Sequence, residues 1–310
     1  MSEPTAVGTA SKAPRDRRYL LDRERLLAPL LLGPSVTYIV ALIAVPFLIA
    51  ITIALSDVTV GDSSYDFVGL QNFSAIVEDP IFRRALINSV TFTAITTALV
   101  AVLAMILSLI LSANFRGKWV VRLLVLLPWT TPAALSAVAW LWLLDSVFSP
   151  IDWVLRTLGL LHGNAIYLGR PGLAAASVIA VQAWRITPLA AVIIMAGLAA
   201  IPEEITEAAE LDGAGFWRTL VEVTIPLNMP VIAIATLFGA ILAFTDMTVV
   251  YVLTRGGPVD ATQVLPNWSF IRGIEGGDLA QSAAMAVFLF PVLLAAGIAI
   301  LRSVKLMEVR

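Results

Sequence analysis

The chain has 310 residues, of which 59% are hydrophobic and only 14% are charged, and its formal net charge is −2. Soluble globular domains carry about 25% charged residues, so this composition excludes an ordinary soluble domain. Cysteine is absent and His162 is the only histidine, which excludes disulfides and leads us to expect no metal site. We also expect no nucleic-acid partner.

Six apolar runs follow one another along the chain, and each is long enough to cross a bilayer. About 20 apolar residues cover roughly 30 Å of hydrocarbon. The sequence therefore predicts an all-α integral membrane protein with six transmembrane helices. The predicted spans are residues 27–53, 87–112, 121–145, 172–198, 228–252 and 280–302. They separate an N-terminal segment (1–26), a transmembrane domain (27–302) and a C-terminal tail (303–310).

Lysine and arginine in short loops set the orientation of a membrane protein, because they are retained in the cytoplasm. Such residues are concentrated in three places: the N-terminal segment, the loop after the second span, and the tail. They are Lys12, Arg15, Arg17, Arg18, Arg23, Arg25, Arg116, Lys118, Arg122, Arg302, Lys305 and Arg310. We therefore expect both termini in the cytoplasm. The first loop on the opposite side is predicted to contain a short helix from Asn72 to Ala85.

Polar side chains inside the spans are candidates for ligand contacts, because a charge at the bilayer centre costs about 2.5–3.5 kcal/mol on insertion scales. Sugar recognition needs planar hydrogen-bonding groups together with aromatic faces. The candidates for substrate binding are Gln182, Trp184 and Arg185 in the fourth span, Asp246 towards the outer end of the fifth, and Trp140 and Trp142 in the third. Two alternatives stay open. Arg185 and Asp246 could be a structural ion pair, and the two tryptophans could pack against neighbouring spans.

Residues 200–230 form the one long acidic segment between spans. It carries six acidic residues and a single basic one, Arg218. Pro202 favours the start of a helix and Gly213 its end, and a second short helix is predicted from Phe216 to Val223. An anionic membrane surface repels such a segment, so we expect a helix–turn–helix that faces a basic protein surface. The alternative is a loop that only joins two spans.

Two motifs of the chain resemble binding-protein-dependent ABC importer permeases. The EAA loop of that family is matched by Glu207-Ala208-Ala209, Gly213, Val223 and Ile225-Pro226. A second element, Val252-Leu253-Thr254-x-Gly256-Gly257-Pro258, is similar to the sugar-permease branch with its maltose- and glycerol-phosphate-type members. The resemblance extends over about residues 26 to 302.

The resemblance implies a type I ABC importer permease fold with a cytoplasmic coupling helix in the loop 200–230. Contact with the ATPase would then be made by Glu207, Ala208, Ala209, Asp212, Gly213 and Ala214. The chain contains no G-x-x-x-x-G-K-[ST] motif, so it is expected to be a transport subunit without its own cofactor, with ATP and Mg²⁺ on a separate ATPase. The implied partners are a second homologous permease, two cytoplasmic ATP-binding subunits, an extracytoplasmic solute-binding protein and the lipid of a bacterial or archaeal cytoplasmic membrane.

The expected function is therefore import of a carbohydrate. An anionic ligand would need more basic residues than Arg185 alone, so a neutral oligo- or disaccharide is favoured. One alternative is a glycerol-phosphate or polyol substrate. Another is an ion-coupled secondary transporter, for which Asp246 is the single buried acidic candidate and no internal repeat is visible.

Overall fold

The computed structural model describes residues 24–62 and 65–308. The chain divides into two units, residues 1–49 and 50–310. The described part of the first unit belongs to one helix, α1 (Glu24–Ala54). The basic residues expected to hold the N-terminal segment in the cytoplasm, apart from Arg25, lie outside the described residues, and so does Arg310.

The described part of the second unit is built from helices joined by loops. Its helices are α2 (Gln71–Glu78), α3 (Pro80–Ser112), α4 (Lys118–Thr130), α5 (Ala133–Leu143), α6 (Pro150–Thr157), α7 (Pro171–Leu198), α8 (Glu203–Leu211), α9 (Phe216–Thr219), α10 (Ile225–Thr245), α11 (Thr248–Leu253), α12 (Leu265–Phe270) and α13 (Leu279–Glu308). π-Helical turns follow α9 (Leu220–Thr224) and α12 (Ile271–Glu275). The C-terminal tail predicted from residue 303 is therefore a continuation of α13.

The helices long and apolar enough to cross a membrane agree with the six predicted spans. Five are continuous: Leu31–Ala54, Pro80–Ser112, Pro171–Leu198, Phe216–Thr245 and Leu279–Ala299. The sixth is the pair α4 and α5, counted as one broken span. The prediction of an all-α membrane protein is confirmed.

The third span is not the continuous helix that we predicted for residues 121–145. Instead, α4 and α5 meet at an angle of 97°. Thr131 separates them with an extended backbone, φ −77° and ψ 135°, because the proline that follows disfavours the helical region for the residue before it. Pro132 then occupies the position just before the first residue of α5, without a side-chain capping hydrogen bond. The composition of this stretch predicted its hydrophobicity but not its break.

The fifth span also differs from its prediction. The helix expected to end at Val223 continues through the π-helical turn into α10, so it is the beginning of the span and not half of a separate helix–turn–helix. The span then stops at Asp246, whose backbone is extended at φ −83° and ψ 118°. Only α8 remains as a helix outside the spans in the segment 200–230.

The short helix predicted from Asn72 to Ala85 is divided in two. α2 ends at Glu78, and the Asp79 side chain accepts a hydrogen bond from the backbone of Ile81 at 2.8 Å, which caps α3. Pro80 follows at the first helical position, where its missing N–H has no intrahelical partner. The second span therefore begins earlier than the predicted residue 87.

Helices α3, α7 and α10 form the core of the second unit. Small residues line their contacts, including Ala104, Ala183, Ala190, Ala191 and Ala235, all buried in one cluster. Small side chains allow helix backbones to approach closely, which is how spans pack where lipid removes the hydrophobic driving force. This packing fixes the polar residues of α7 and α10 relative to each other.

Hydrogen bonds define the two ends of the bundle. At one end Arg122 of α4 donates to the carbonyl of Leu111 in α3 at 3.1 Å. At the other end Asn88 of α3 donates to the carbonyls of Asp260 and Gln263, each at 3.0 Å. Trp268 donates to Asp79 at 3.2 Å. The loops 55–79 and 254–278, which follow the first and fifth spans, are thus at one end of the bundle.

Candidate functional site

A polar cluster lies among the spans of the second unit. Arg185 is close to the middle of α7, and its guanidinium forms an ion pair with the carboxylate of Asp246. Gln182, one turn earlier in α7 and fully buried, donates to the same carboxylate oxygen at 3.5 Å. The Arg185 and Asp246 side chains are 12% and 14% exposed. The structure therefore brings together three of the six predicted substrate residues.

The break in the fifth span explains how Asp246 reaches this position. One carboxylate oxygen accepts from the backbone N–H of Thr248 at 2.7 Å, and so begins α11. The other oxygen faces α7. We predicted Asp246 towards the outer end of a span that continued to residue 252, whereas the helix ends at Thr245 and Asp246 directly follows it. One side chain thus both restarts the helix and pairs with Arg185.

The electrostatics of the cluster follow from this pairing. Two opposite charges cancel, which lowers the cost of holding either of them among apolar helices. Hydrogen-bonding capacity is left over, because Nε of Arg185 and Oε1 of Gln182 are buried and have no partner among the described residues. Buried polar atoms are normally hydrogen-bonded. The cluster is therefore neutral overall and can make further hydrogen bonds.

Two of the predicted tryptophans contact each other, and one of them directly precedes Arg185 in α7. The rings of Trp184 in α7 and Trp140 in α5 are in edge-to-face contact, with centroids 5.4 Å apart and planes at 74°. Trp184 is 38% exposed and lines an apolar cavity of about 500 Å³ between α3, α4 and α7. Trp142 is not brought to the cluster. It lies two residues after Trp140, on the opposite face of α5, and is 62% exposed.

Thr248 is a residue of this site that sequence reasoning missed. Its backbone N–H fixes one oxygen of Asp246, which leaves the other for Arg185. The signal was present in the sequence: aspartate is preferred just before a helix start, where its carboxylate accepts from a backbone N–H two or three residues further on. The apolar length of the run concealed it.

Helix α8 ends in a turn whose geometry is set by glycine. The N–H of Gly213 donates to the carbonyl of Glu210 at 3.0 Å, and that of Ala214 to the carbonyl of Ala209 at 2.9 Å. These two bonds are the Schellman pattern, which requires a left-handed residue. Gly213 has φ +79°. The predicted helix start at Pro202 and the predicted end before Gly213 are confirmed.

The surface of α8 is acidic and open. None of its residues is buried, and Glu203 and Glu204 lie in the first turn, where the helix dipole favours negative charge. Glu207 and Glu210 are exposed, and no ion pair engages either of them within residues 24–62 and 65–308. Leu211 is 89% exposed. A helix with this surface contributes little to the core of its own chain and is free to contact another one.

A bundle of spans with a neutral polar cluster at its middle and an open acidic helix at one end defines a membrane transport permease. Residues 101–307 match the sequence profile of the family described as binding-protein-dependent transport system inner membrane component. The chain belongs to that family.

Individual relatives agree with this assignment. The chain is 31% identical over 293 residues to the sulfoquinovosyl glycerol transport system permease protein SmoG of Agrobacterium fabrum, with 94% of each chain covered. It is 30% identical over 272 residues to the trehalose/maltose transport system permease protein MalF of Thermococcus litoralis, with 88% of this chain and 91% of that protein covered.

A solved structure shows the same fold. It is a bacterial alginate ABC transporter in complex with an alginate pentasaccharide-bound periplasmic protein. One of its chains superposes with a TM-score of 0.76 at 18% identity, over 93% of this chain and 96% of that one. The type I importer permease fold that the resemblance implied is confirmed, and the protein is a multi-pass permease subunit of an ABC importer.

Proposed function

We propose that this permease lies in the cytoplasmic membrane of a bacterial or archaeal cell, with both termini in the cytoplasm. It pairs with a second homologous permease and receives a carbohydrate from an extracytoplasmic solute-binding protein. Two cytoplasmic subunits, which hold ATP and Mg²⁺, drive transport. The distribution of basic residues supports this orientation, because Arg116, Lys118 and Arg122 all lie at the end of the bundle that carries α8.

The ion pair between Arg185 and Asp246 is the observation that carries the proposed substrate class. Arg185 is the basic residue in the middle of the spans, and Asp246 cancels its charge. An anionic substrate at Arg185 would lie beside the carboxylate of Asp246, and the repulsion between two like charges among apolar helices is unfavourable. A neutral oligo- or disaccharide meets no such penalty.

The remaining groups of the cluster suit sugar hydroxyls and C–H faces. Gln182 and Arg185 have planar polar groups with buried atoms that lack partners, and these can hydrogen-bond to hydroxyls. The Trp184 ring, held edge-to-face by Trp140, offers an apolar face to the C–H side of a sugar ring. In this arrangement Trp142 contacts lipid or the second permease.

Helix α8 is the proposed contact with the ATPase. Glu207, Ala208 and Ala209 lie on its open surface, where the acidic side chain can pair with a basic residue and the two alanines allow close approach. Asp212, Gly213 and Ala214 shape the turn that returns the chain to the spans. Attachment at both ends to membrane-crossing helices lets α8 transmit a movement of the ATPase to the spans.

A glycerol-phosphate or other anionic substrate is the second candidate, favoured by the names of the sulfoquinovosyl glycerol relative and of the sn-glycerol-3-phosphate transport system permease protein UgpA of Agrobacterium fabrum, which is 29% identical over 238 residues. The phosphate or sulfonate of such a ligand needs a free cation. Arg185 is engaged by Asp246, so the neutral class is preferred.

The test is stimulation of ATP hydrolysis in the purified complex of this permease with its partner subunits and binding protein. Maltose, trehalose and raffinose represent the neutral class, and sn-glycerol 3-phosphate and glucuronate the anionic class. We expect stimulation by a neutral sugar. Stimulation by the anionic compounds alone would overturn the proposed substrate class and leave the importer role intact.

A further inference from the structure

The two helices that flank α8 are joined at one buried point close to it. Asn228, in the first part of α10, is 1% exposed, and its Nδ2 donates to the carbonyl oxygen of Ile194 in α7 at 3.1 Å. A Cβ atom at Gly197 would overlap Oδ1 of Asn228 and lie 2.8 Å from Cβ of Val231. We call Gly197, Asn228 and Val231 the α7–α10 clamp.

The amide of Asn228 lowers the stability of the fold at this position. Its Oδ1 is buried and has no hydrogen-bond partner among the described residues, and a buried acceptor without a partner is destabilising. A leucine of nearly the same shape would fill the space without this penalty. The amide, unlike leucine, makes a directional bond. That bond adds a directional constraint on the height and rotation of α10 against α7 to the close packing of their small residues.

Helix α10 needs such a bond because its own first turns are weak. Pro226 and Pro230 lie on either side of Asn228, and each proline removes a hydrogen bond within the helix. The π-helical turn Leu220–Thr224 comes directly before them. A helix weakened in this way can bend, and a bend here would absorb a movement of α8 before it reached the spans.

We propose that the α7–α10 clamp joins α7, α8 and the first part of α10 into one rigid unit, with Asn228 as a positioning residue for transport. The rigid unit is connected to the polar cluster, because α7 carries Arg185 and Asp246 directly follows α10. A movement imposed on α8 thus shifts both partners of the ion pair together. This inference rests on the coupling role proposed for α8.

The test uses spin-label distances in the assembled transporter. The chain has no native cysteine, so Glu204→Cys in α8 and Ile234→Cys, an exposed position in α10, give a clean label pair. In the parent chain we expect one narrow distance distribution that is the same with and without bound ATP. With Asn228→Leu we expect the distribution to shift or broaden when ATP binds, while the rate of ATP hydrolysis stays near that of the parent.

Two glycine variants provide a matched comparison. Gly197→Ala forces α7 and α10 apart and should behave as Asn228→Leu does. Gly239→Ala lies in α10 of the same helix pair, but its added Cβ meets only ordinary contacts at 3.7 Å, so it should match the parent.

The outcomes separate the two proposals. Identical distances in the parent chain and in Asn228→Leu, in both nucleotide states, would overturn the role of the clamp. A parent chain whose own label distance changes with ATP would overturn the rigid unit. Failure of the parent chain to assemble with any ATPase would instead contradict the proposed function. A purely structural role for Asn228 predicts a change in melting temperature with no change in label distance.

Discussion

Gly213 determines how α8 ends, through a single backbone angle. Its φ of +79° belongs to the left-handed region, and a Cβ there would meet no atom within 4 Å. Glycine is therefore required by the backbone conformation and not by a lack of space for a side chain. Left-handed backbone costs a residue with a side chain about 1–2 kcal/mol, and a β-branched one is the least tolerant.

We predict that Gly213→Val disturbs the turn and uncouples ATP hydrolysis from transport, while the chain still inserts and assembles. The measurement is the ratio of substrate transported to ATP hydrolysed in reconstituted vesicles. Gly215→Val is the matched control, because Gly215 is equally open and has an ordinary φ of −74°. Normal transport by the Gly213→Val chain would show that the turn geometry is unimportant.

A second prediction at this scale decides whether Arg185 and Asp246 form a structural pair or a ligand site. Removing one partner of a buried ion pair is destabilising by about 3–5 kcal/mol, because the other charge is left uncompensated. Both side chains are mostly buried. We expect Arg185→Met alone, and Asp246→Asn alone, to lower the melting temperature of the complex.

The double variant Arg185→Met/Asp246→Asn removes both charges and keeps an oxygen that can accept from Thr248. We expect it to recover most of the lost thermal stability. A ligand role predicts that the Michaelis constant for the transported sugar stays raised in the double variant. A return of both stability and transport to parent values would make the pair purely structural.

At the scale of elements, the start of α3 depends on Asp79. One carboxylate oxygen caps the helix through Ile81 at 2.8 Å, and the other accepts from Trp268 at 3.2 Å. Loss of a helix cap costs about 0.5–2 kcal/mol. We predict that Asp79→Ala lowers the melting temperature, whereas Glu78→Ala, an exposed neighbour with the same charge change, does not. Equal effects of the two variants would contradict the capping role.

The loop 254–278 is held by a carboxylate whose contacts depend on pH. The Tyr251 hydroxyl donates to Glu275 at 2.7 Å, and Arg255 pairs with the same carboxylate at 2.6 Å. These contacts hold the pKa of Glu275 below its ordinary value of 4.5, the Tyr251 hydrogen bond contributing most. A lowered pKa means that the stabilisation is full above the ordinary value and is lost as the pH falls through the lowered one.

We therefore predict that Glu275→Gln destabilises the complex at about pH 7, and that its difference from the parent shrinks as the pH falls below the ordinary carboxyl pKa of 4.5. Melting temperatures measured across this range test the sign. A difference that grew on acidification would mean that the neutral form of Glu275 is the one that the fold prefers.

Hydropathy predicted where the spans lie but not where they break. Apolar length alone identifies a helix that must satisfy its own backbone in lipid. The breaks at Thr131 and Asp246 depend on a residue before proline and on a carboxylate that caps the next helix. Each signal involves only two or three residues, so it is lost when hydropathy is averaged over a span of about 20 residues.

Contacts between helices were harder still to predict from the sequence. The sequence placed Arg185 and Asp246 inside spans and left open whether they meet. The contact between Asn228 and Gly197 was not predicted at all. Such pairs depend on the rotation of each helix about its axis, which is set by close packing. The turn at Gly213 could be predicted because it depends on neighbouring residues alone.

At the scale of the whole molecule, α8 connects the two long helices that carry the polar cluster. α7 carries Arg185 and leads into α8, and the chain returns through α9 and α10 to Asp246. A force applied to α8 therefore acts on both sides of the cluster. This arrangement is what the proposed coupling to ATP hydrolysis on another chain requires.

The most direct test of this account is to identify what α8 touches in the membrane. A photo-crosslinking amino acid at Glu207, in a tagged chain extracted gently and analysed by mass spectrometry, reports that contact. The account predicts a cross-link to a P-loop ATPase, with a second six-span permease recovered in the same complex. A chain that purifies alone, or whose Glu207 position cross-links only to lipid, would contradict the coupling role of α8.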